Sequence, residues 1–194
     1  PGIAVRPIRL ISGDSLFCET TFDDAVACKE DLVGKLNEGW SVGKRLLQHE
    51  RAAVASYGGA VNPRAGGPPL PVVAREYAGG VVDTALRRDL IAHSMNDLAF
   101  RLTRRRTSEE ARGGTSGPAT SIFKMYATEL EQAKASLLVS MRGTQGLGWS
   151  GDGFDQPSLE GTRNWLWSRA ASIYSGTNEI QRNIIAKRVL GLPD

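Results

Sequence analysis

The sequence lacks the residues that mark several large classes of protein. Its only two cysteines, Cys18 and Cys28, form no CxxC motif and have no histidine cluster near them. The sequence therefore predicts neither a metal site nor a disulfide framework. No apolar run approaches the roughly 18 residues that a membrane-spanning helix needs. The net charge of +3 is too small to indicate a nucleic-acid partner.

The remaining composition is that of an ordinary globular protein. Apolar residues make up 41% of the 194 residues and charged residues 23%. The two thiols suit a reducing compartment. The chain opens on Pro1-Gly2-Ile3 without an initiator Met or a leader pattern. We interpret it as a piece of a longer protein.

Short β-type runs are expected over residues 3–36. The β-type residues are Ile3, Val5, Pro7 and Ile8, followed by Thr20-Thr21-Phe22 and Val26. The runs are broken at Ser12-Gly13-Asp14 and at Phe22-Asp23-Asp24. A segment this short does not form a stable sheet alone, so its partner strands are expected upstream of Pro1.

From Leu36 onward the apolar residues recur at helical spacing. Asn37 is the predicted N-cap of the first helix and Asp83 that of the third, and Gly79-Gly80 is the predicted end of the second. The predicted helices cover residues 37–57, 71–77, 83–106, 117–142, 158–173 and 178–190.

The third predicted helix carries one predicted apolar stripe. Its members are Leu86, Leu90, Ile91, Met95, Leu98 and Leu102. The cluster Arg104-Arg105-Arg106 is expected at a solvated helix end, where positive charge suits the helix dipole. Residues 107–116 are predicted to be a polar linker.

Several stretches resemble the acyl-CoA dehydrogenase family. Residues 173–193 read IYSGTNEIQRNIIAKRVLGLP and are similar to the closing motif of that family. Residues 117–124 (GPATSIFK) resemble a segment of one bacterial subgroup that often lacks the arginine-aromatic-glycine flavin motif, as this chain does. Near the front, the matched motifs are Pro1-Gly2-Ile3, Phe22-Asp23-Asp24, Leu32-Val33-Gly34, Asn37-Glu38-Gly39-Trp40 and Glu50-Arg51.

The resemblance covers essentially the whole chain and implies its fold. That fold is mainly α: residues 37–194 form the antiparallel helix bundle of the family's C-terminal domain, and residues 1–36 are the end of the preceding β-domain. In the family, an N-terminal helical domain and the first part of the β-domain come earlier. We therefore expect this segment alone to bind FAD poorly.

The reaction of the family removes a proton from Cα of an acyl-CoA thioester while hydride leaves Cβ for flavin N5. A carboxylate shielded from water suits the base, because desolvation raises its pKa toward neutrality. Fatty-acid members carry this base at the position of Ser175, and serine lacks the basicity. A second group carries it before a matched arginine on the first bundle helix. The resemblance thus implies Glu50 as the base.

The neighbours of Glu50 suggest other readings. Glu50 and Arg51 could form an exposed pair on an amphipathic helix. With the resemblance, Arg51 is expected at the acyl-CoA, together with Gln48 and Tyr174. Adjacent helical residues point about 100° apart, so Arg51 need not neutralise Glu50. His49 is the alternative base, but its direction favours a surface position.

The resemblance also assigns residues to the oxyanion and flavin. The backbone N–H of Ser175 would donate to the thioester carbonyl. The residues matched to flavin contacts, at the diphosphate or ribityl region or in a Gly-rich loop, are Gly176, Thr177, Glu179, Gly143 and Gly146. Without the resemblance, these positions would be an ordinary turn, a helix cap and loop glycines.

The resemblance implies an FAD-dependent acyl-CoA dehydrogenase of lipid degradation. Its substrate is expected to be a branched, cyclic or bulky acyl-CoA, and its electron acceptor the electron-transferring flavoprotein. A homo- or hetero-oligomer, a tetramer or dimer, is expected in the bacterial cytoplasm, with the mitochondrial matrix left open.

Two other functions remain open. A non-catalytic subunit of a heteromeric dehydrogenase is favoured by Ser175 and by the missing arginine motif, and opposed by Glu50. A flavin oxidase or monooxygenase would keep the fold and change the chemistry.

Overall fold

The computed structural model describes residues 2–56, 68–79, 83–111 and 122–193, without the side chains of residues 48, 50–56, 78 and 111. These residues fall into two compact units, Pro1–Ala65 and Gly66–Asp194.

The first unit contains an antiparallel hairpin. Strand β1 (Ile3–Ile8) pairs with β2 (Phe17–Phe22), with Ile3 opposite Phe22. The Asp23 N–H donates to the Gly2 carbonyl at 2.8 Å, and Asp24 then turns into the left-handed region with a φ of 47°. The predicted break at Phe22-Asp23-Asp24 is therefore confirmed.

Helix α1 (Gly39–Ser56) follows, after a short 3-10 helix. The Ser41 hydroxyl donates to the Glu38 carbonyl at 2.7 Å just ahead of its first turn. Asn37 is not the N-cap: it lies before Glu38 with a φ of 65°, a conformation that asparagine tolerates better than most residues. The predicted cap was placed too early.

Five α-helices form the described part of the second unit, and the mainly α fold is confirmed. They are α2 (Leu70–Ala78), α3 (Thr84–Ala111), α4 (Phe123–Met141), α5 (Gln156–Ser168) and α6 (Asn178–Arg188). Two 3-10 helices cover Gly143–Leu147 and Arg169–Ser172. Helix α4 is central, because it contacts the other four. The predicted start of α4 at residues 117–118 lies outside the described residues.

Local signals at helix ends are confirmed in this unit. Helix α2 ends at Gly79, whose φ of 59° is the left-handed conformation that glycine adopts easily. Asp83 begins α3, since its Oδ1 accepts the Ala85 N–H at 2.9 Å. Helix α3 ends at Ala111, so the predicted linker at residues 107–116 begins too early.

The core of the second unit joins α2, α3 and α4. Its buried members are Leu70, Val73, Ala74, Leu90, Leu138 and Met141. Burying one large apolar side chain contributes about 1.5–3 kcal/mol, so this cluster is the main source of stability here.

The apolar stripe predicted on α3 was largely wrong. Ile91, Met95, Leu98 and Leu102 are between 48% and 66% exposed. Leu90 is buried, but the buried face continues through Phe100, whose ring contacts Phe123 at 5.7 Å and Tyr126 at 5.4 Å between centroids. The helix has apolar residues on two faces, and the bulky Phe100 lies on the one that meets α4.

The arginine cluster is solvated as predicted, although the helix continues past it. Arg105 pairs with Glu109 at 2.8 Å and Arg106 with Glu110 at 3.6 Å, each one helical turn apart. Such exposed pairs contribute little to stability.

The cysteines, possible metal sites and possible membrane-spanning helices can also be compared with the structure. Both cysteines are free and exposed. Over the described ranges, no group of three His, Cys, Asp or Glu could hold a metal ion. No helix in those ranges is long and apolar enough to cross a membrane.

Candidate functional site

The turn between Tyr174 and Thr177 joins the second 3-10 helix to α6. Ser175 and Gly176 are both left-handed, with φ of 53° and 87°. Glycine adopts this conformation freely, but a residue with a Cβ loses roughly 1–2 kcal/mol there. A non-glycine residue in this conformation persists only where the surrounding structure fixes it.

Thr177 caps α6 behind the turn. Its Oγ1 accepts the Ile180 N–H at 3.3 Å. The exposed Glu179 carboxyl accepts hydrogen bonds from its own backbone N–H and from the Thr177 hydroxyl, which lower its pKa below the usual range. The first turn of α6 thus already carries a negative charge, which would repel a diphosphate and suits a neutral hydroxyl ligand better.

The Ser175 backbone N–H faces no acceptor among the residues that the structure describes: neither a carbonyl nor a side chain there takes it. Ser175 is also exposed. The predicted oxyanion donor is therefore available to a ligand.

Helix α4 holds the segment on either side of this turn through a row of side chains one helical turn apart, which we call the polar ladder: Lys124, Thr128, Gln132 and Ser136. Two of its members meet Asn178, the first residue of α6. Lys124 Nζ donates to Asn178 Oδ1 at 3.1 Å. The Thr128 hydroxyl shares its one proton between the Met125 carbonyl at 2.8 Å and Asn178 Oδ1 at 3.2 Å. Asn178 is only 4% exposed, so the start of α6 is fixed by buried hydrogen bonds.

The other half of the polar ladder holds the segment before the turn. Gln132 Nε2 donates to the Ser168 carbonyl and to Ser172 Oγ, each at 3.0 Å. Ser136 Oγ accepts from Trp165 Nε1 at 3.1 Å. The turn is thus bracketed on both sides by one face of α4.

Burial shifts two titratable groups around the turn. Desolvation lowers the pKa of Lys124, against an opposing effect of the Glu179 charge. Burial, followed by the charge of Glu131, raises the pKa of Tyr174. Tyr174 therefore stays neutral over the physiological range, and it is half-buried beside the turn.

The predicted base Glu50 and its neighbours Gln48 and Arg51 are described in their backbones only. The backbones of Gln48, Glu50 and Arg51 belong to α1, but their side chains lie outside the described residues. Their roles at the substrate stay predictions. His49 is exposed in its unit, as its direction on the helix suggested.

The two loop glycines have structural reasons of their own. Gly143 follows the end of α4 with a φ of 53°, which favours glycine. Gly146 is buried against α4, where a Cβ would collide with the Val139 carbonyl oxygen. Their predicted flavin contacts stay predictions.

Sequence reasoning missed the polar ladder. Lys124 and Asn178 were noted only as parts of matched runs. The available signal was the recurrence of hydrogen-bonding residues every fourth position on a helix that also carries buried apolar residues.

Comparison with known protein families identifies the class to which this helical unit belongs. The family profile described as "Acyl-CoA dehydrogenase, C-terminal domain" matches residues 37–190. The chain belongs to the acyl-CoA dehydrogenase family.

Its curated relatives include mycobacterial proteins. It is 34% identical over 194 residues to the acyl-CoA dehydrogenase IpdE1 of Mycolicibacterium smegmatis, covering 100% of this chain and 47% of that protein. It is 32% identical to FadE34 of Mycobacterium tuberculosis, covering 100% of this chain and 25% of that protein. The chain thus spans half or less of these relatives.

Solved structures share the fold. The chain matches the ChsE4-ChsE5 complex from Mycobacterium tuberculosis with a TM-score of 0.72 and 24% identity, over 100% of this chain and 51% of that one. It matches the Tcur3481-Tcur3483 steroid ACAD with a TM-score of 0.73 and 22% identity, over 99% and 49%.

Proposed function

We propose that the whole protein is an FAD-dependent acyl-CoA dehydrogenase that oxidises the Cα–Cβ bond of an acyl-CoA thioester. The observation that carries this proposal is the exposed Ser175 N–H, which has no acceptor among the described residues and stands in a turn held left-handed. Removal of a proton from Cα places negative charge on the thioester oxygen. A fixed N–H aimed at that oxygen lowers the barrier, because it needs no rearrangement as the charge develops.

The residues around the turn suit a particular part of the cofactor. FAD, when bound, accepts the hydride from Cβ. Gly176, Thr177 and Glu179 would hold it, and the carboxylate at the start of α6 favours the ribityl hydroxyls over the diphosphate. Gly143 and Gly146 would contact flavin only in an assembled oligomer.

Glu50 would supply the base, with Arg51, Gln48 and Tyr174 around the acyl-CoA. This assignment is supported by the family to which the chain belongs and by serine at the alternative position. The half-buried, neutral Tyr174 offers the substrate an aromatic surface beside the turn. Among the solved relatives, the steroid ACAD is named for a bulky ring system. We infer a bulky acyl-CoA, oxidised in the bacterial cytoplasm with the electron-transferring flavoprotein as acceptor.

The decisive experiment is Glu50→Gln in the full-length protein, with flavin bleaching followed for straight, branched and ring-bearing acyl-CoAs. Loss of a general base lowers the rate about 10²–10⁴-fold. Glu76→Gln, the same change at an exposed position of α2, is the matched control and should bleach at the parent rate. Retained bleaching in Glu50→Gln would end the assignment.

A second candidate is a non-catalytic subunit of a heteromeric dehydrogenase. Two solved relatives are named as pairs, ChsE4-ChsE5 and Tcur3481-Tcur3483, and Ser175 replaces the base of the fatty-acid members. The full-length protein should be purified alone and with the product of a neighbouring gene. If Glu50→Gln leaves the activity of a yellow heteromer intact, this chain is the supporting subunit.

A further inference from the structure

Contacts outside the turn must hold Ser175 in its left-handed conformation. The apolar residues on the two flanks of the turn do not provide these contacts, because Ile173 is 64% and Ile180 51% exposed in the chain. Thr177 orders the first turn of α6 but does not connect it to the rest of the bundle. The described polar contacts that do so are hydrogen bonds with α4, together with the exposed ion pair between Arg182 of α6 and Glu129 of α4 at 3.0 Å. The ion pair lies beyond the first turn of α6, so the hydrogen bonds to Asn178 are the ones at its start.

The contact behind the turn is strong for its size. A single oxygen, Asn178 Oδ1, accepts from Lys124 and shares the Thr128 proton with the Met125 carbonyl. The Lys124 donor is a cation, and hydrogen bonds to charged groups are roughly twice as strong as those between neutral groups. Because Asn178 begins α6, the two donors fix where that helix starts.

The contact before the turn uses a rigid group. The Gln132 amide places its two N–H bonds on the Ser168 carbonyl and on Ser172 Oγ. The chain entering the turn is therefore held by the same helix that holds the chain leaving it. Both ends of the turn are therefore hydrogen-bonded to one rigid element, helix α4.

We propose that the polar ladder of α4 is a positioning device, which sets the place and direction of the Ser175 N–H by fixing both ends of the turn. This inference rests on the proposed function, since it concerns the oxyanion donor of that reaction. Lys124, Thr128 and Gln132 are positioning residues: their described hydrogen bonds run to α6 and to the segment before the turn. They act through Asn178 and Ser172.

The experiment uses the full-length protein, with its partner subunit if it needs one, and acetoacetyl-CoA as the probe. This thioester loses a Cα proton without being oxidised, and its enolate is measured by ultraviolet absorbance. An oxyanion donor stabilises the enolate, so the bound probe ionises at lower pH than the free probe. Thr128→Val and Gln132→Leu remove rungs of the polar ladder while nearly preserving side-chain volume.

We expect each variant to lower the enolate-to-neutral ratio of the bound probe at a fixed pH about tenfold, because misplacing a reacting group by about 1 Å costs up to roughly 100-fold. Thr128→Ser keeps the hydroxyl and should restore the ratio. Thr107→Val is the matched control: Thr107 is a buried residue of α3 whose hydroxyl bonds to its own helix at Thr103. It should leave the ratio unchanged.

The outcomes separate the two proposals. If the parent protein binds flavin and ionises the probe, but Thr128→Val and Gln132→Leu behave like Thr107→Val, the positioning role is refuted and the proposed function stands. If the parent itself neither holds flavin nor shifts the ionisation of the probe, the proposed function fails and the inference fails with it.

Discussion

Two sets of side chains on α4, the apolar residues near its C-terminal end and the polar ladder that begins near its N-terminal end, hold the bundle together by different means. The apolar set places Ala135, Leu138 and Met141 in the interior, where Leu138 and Met141 join the apolar core with α2 and α3. The polar ladder places Lys124 and Thr128 on the start of α6 through hydrogen bonds. Helix α4 therefore carries apolar side chains that are buried away from water and polar side chains that fix the orientation of α6.

The difference separates stability from geometry. Burial of apolar area is non-directional, so the apolar set resists unfolding without specifying the orientation of any one group. Hydrogen bonds have narrow ranges of distance and angle, so the polar ladder specifies orientation and adds less net free energy. The strained turn lies beside the polar ladder.

The largest effect on stability is expected in the apolar set. Leu138→Ala should lower the free energy of unfolding by about 3 kcal/mol, because it removes buried methyl groups and leaves a cavity. Urea denaturation followed by circular dichroism measures it. Leu98→Ala, the same change at a half-exposed position of α3, should cost far less. Equal losses would contradict the proposed core.

The next effect tests how closely α5 approaches the end of α4. Gly161 lies against the guanidinium of the buried Arg142, and a Cβ at that position would collide with Nη1. Gly161→Ala should therefore cost about 1–3 kcal/mol, although alanine is the better helix former. Gly153→Ala, where a Cβ meets open space, is the control. A stabilised Gly161→Ala variant would show that Arg142 moves away freely.

A smaller effect is expected from Asp155, which caps α5 and links it to α2. Burial tends to raise the pKa of this carboxyl, but hydrogen bonds from the Ser158 N–H and the Tyr77 hydroxyl, with the Arg142 charge, lower it overall. A lowered pKa stabilises the fold above the unfolded value of about 4, and this contribution is lost as the pH falls through the folded value.

Asp155→Asn should thus reduce the loss of stability between about pH 5 and the folded pKa, in urea midpoints measured across that range. The exposed Asp152→Asn is the control and should leave the slope unchanged. If the stability of Asp155→Asn falls with pH as steeply as that of the parent protein, other carboxyls cause the loss of stability in acid.

The smallest effect on stability is expected at the turn. Ser175→Gly relieves the left-handed strain of roughly 1–2 kcal/mol but gains flexibility in the unfolded state, so the free energy of unfolding should change by less than about 1 kcal/mol. Gly176→Ser, the reverse change at the next position, should be destabilising, because a residue with a Cβ is strained at the φ of 87° that glycine adopts there. Thermal unfolding measures both, and a gain well above 1 kcal/mol in Ser175→Gly would mean that the strain is larger than its φ suggests.

Local chemistry made part of the fold predictable. Asp83 and Gly79 act within a few residues of their own positions, so the sequence alone identifies them as a cap and a helix end. The stripe on α3 failed for a different reason. Periodicity finds apolar faces but does not say which face meets α4, and Phe100 decided that question through rings on another helix.

The candidate site also has a part that the sequence predicts and a part that it does not. The turn at Ser175 and Gly176 could be found because its residues are contiguous and resemble the closing motif of the family. The four-residue recurrence marks the face of the polar ladder but not its partners, because its contacts join residues 54 and 50 positions apart in the chain. No pattern in the sequence reports that Lys124 meets Asn178. Glu50 stays a prediction.

The four-residue spacing of the polar ladder also constrains how this helix can vary in length. Each added or deleted residue turns the following part of an α-helix by about 100° and shifts it by about 1.5 Å. A single insertion between Lys124 and Gln132 would carry one half of the row off the face that the other half shares. The number of residues in this stretch, as well as their identity, is therefore part of what defines the turn.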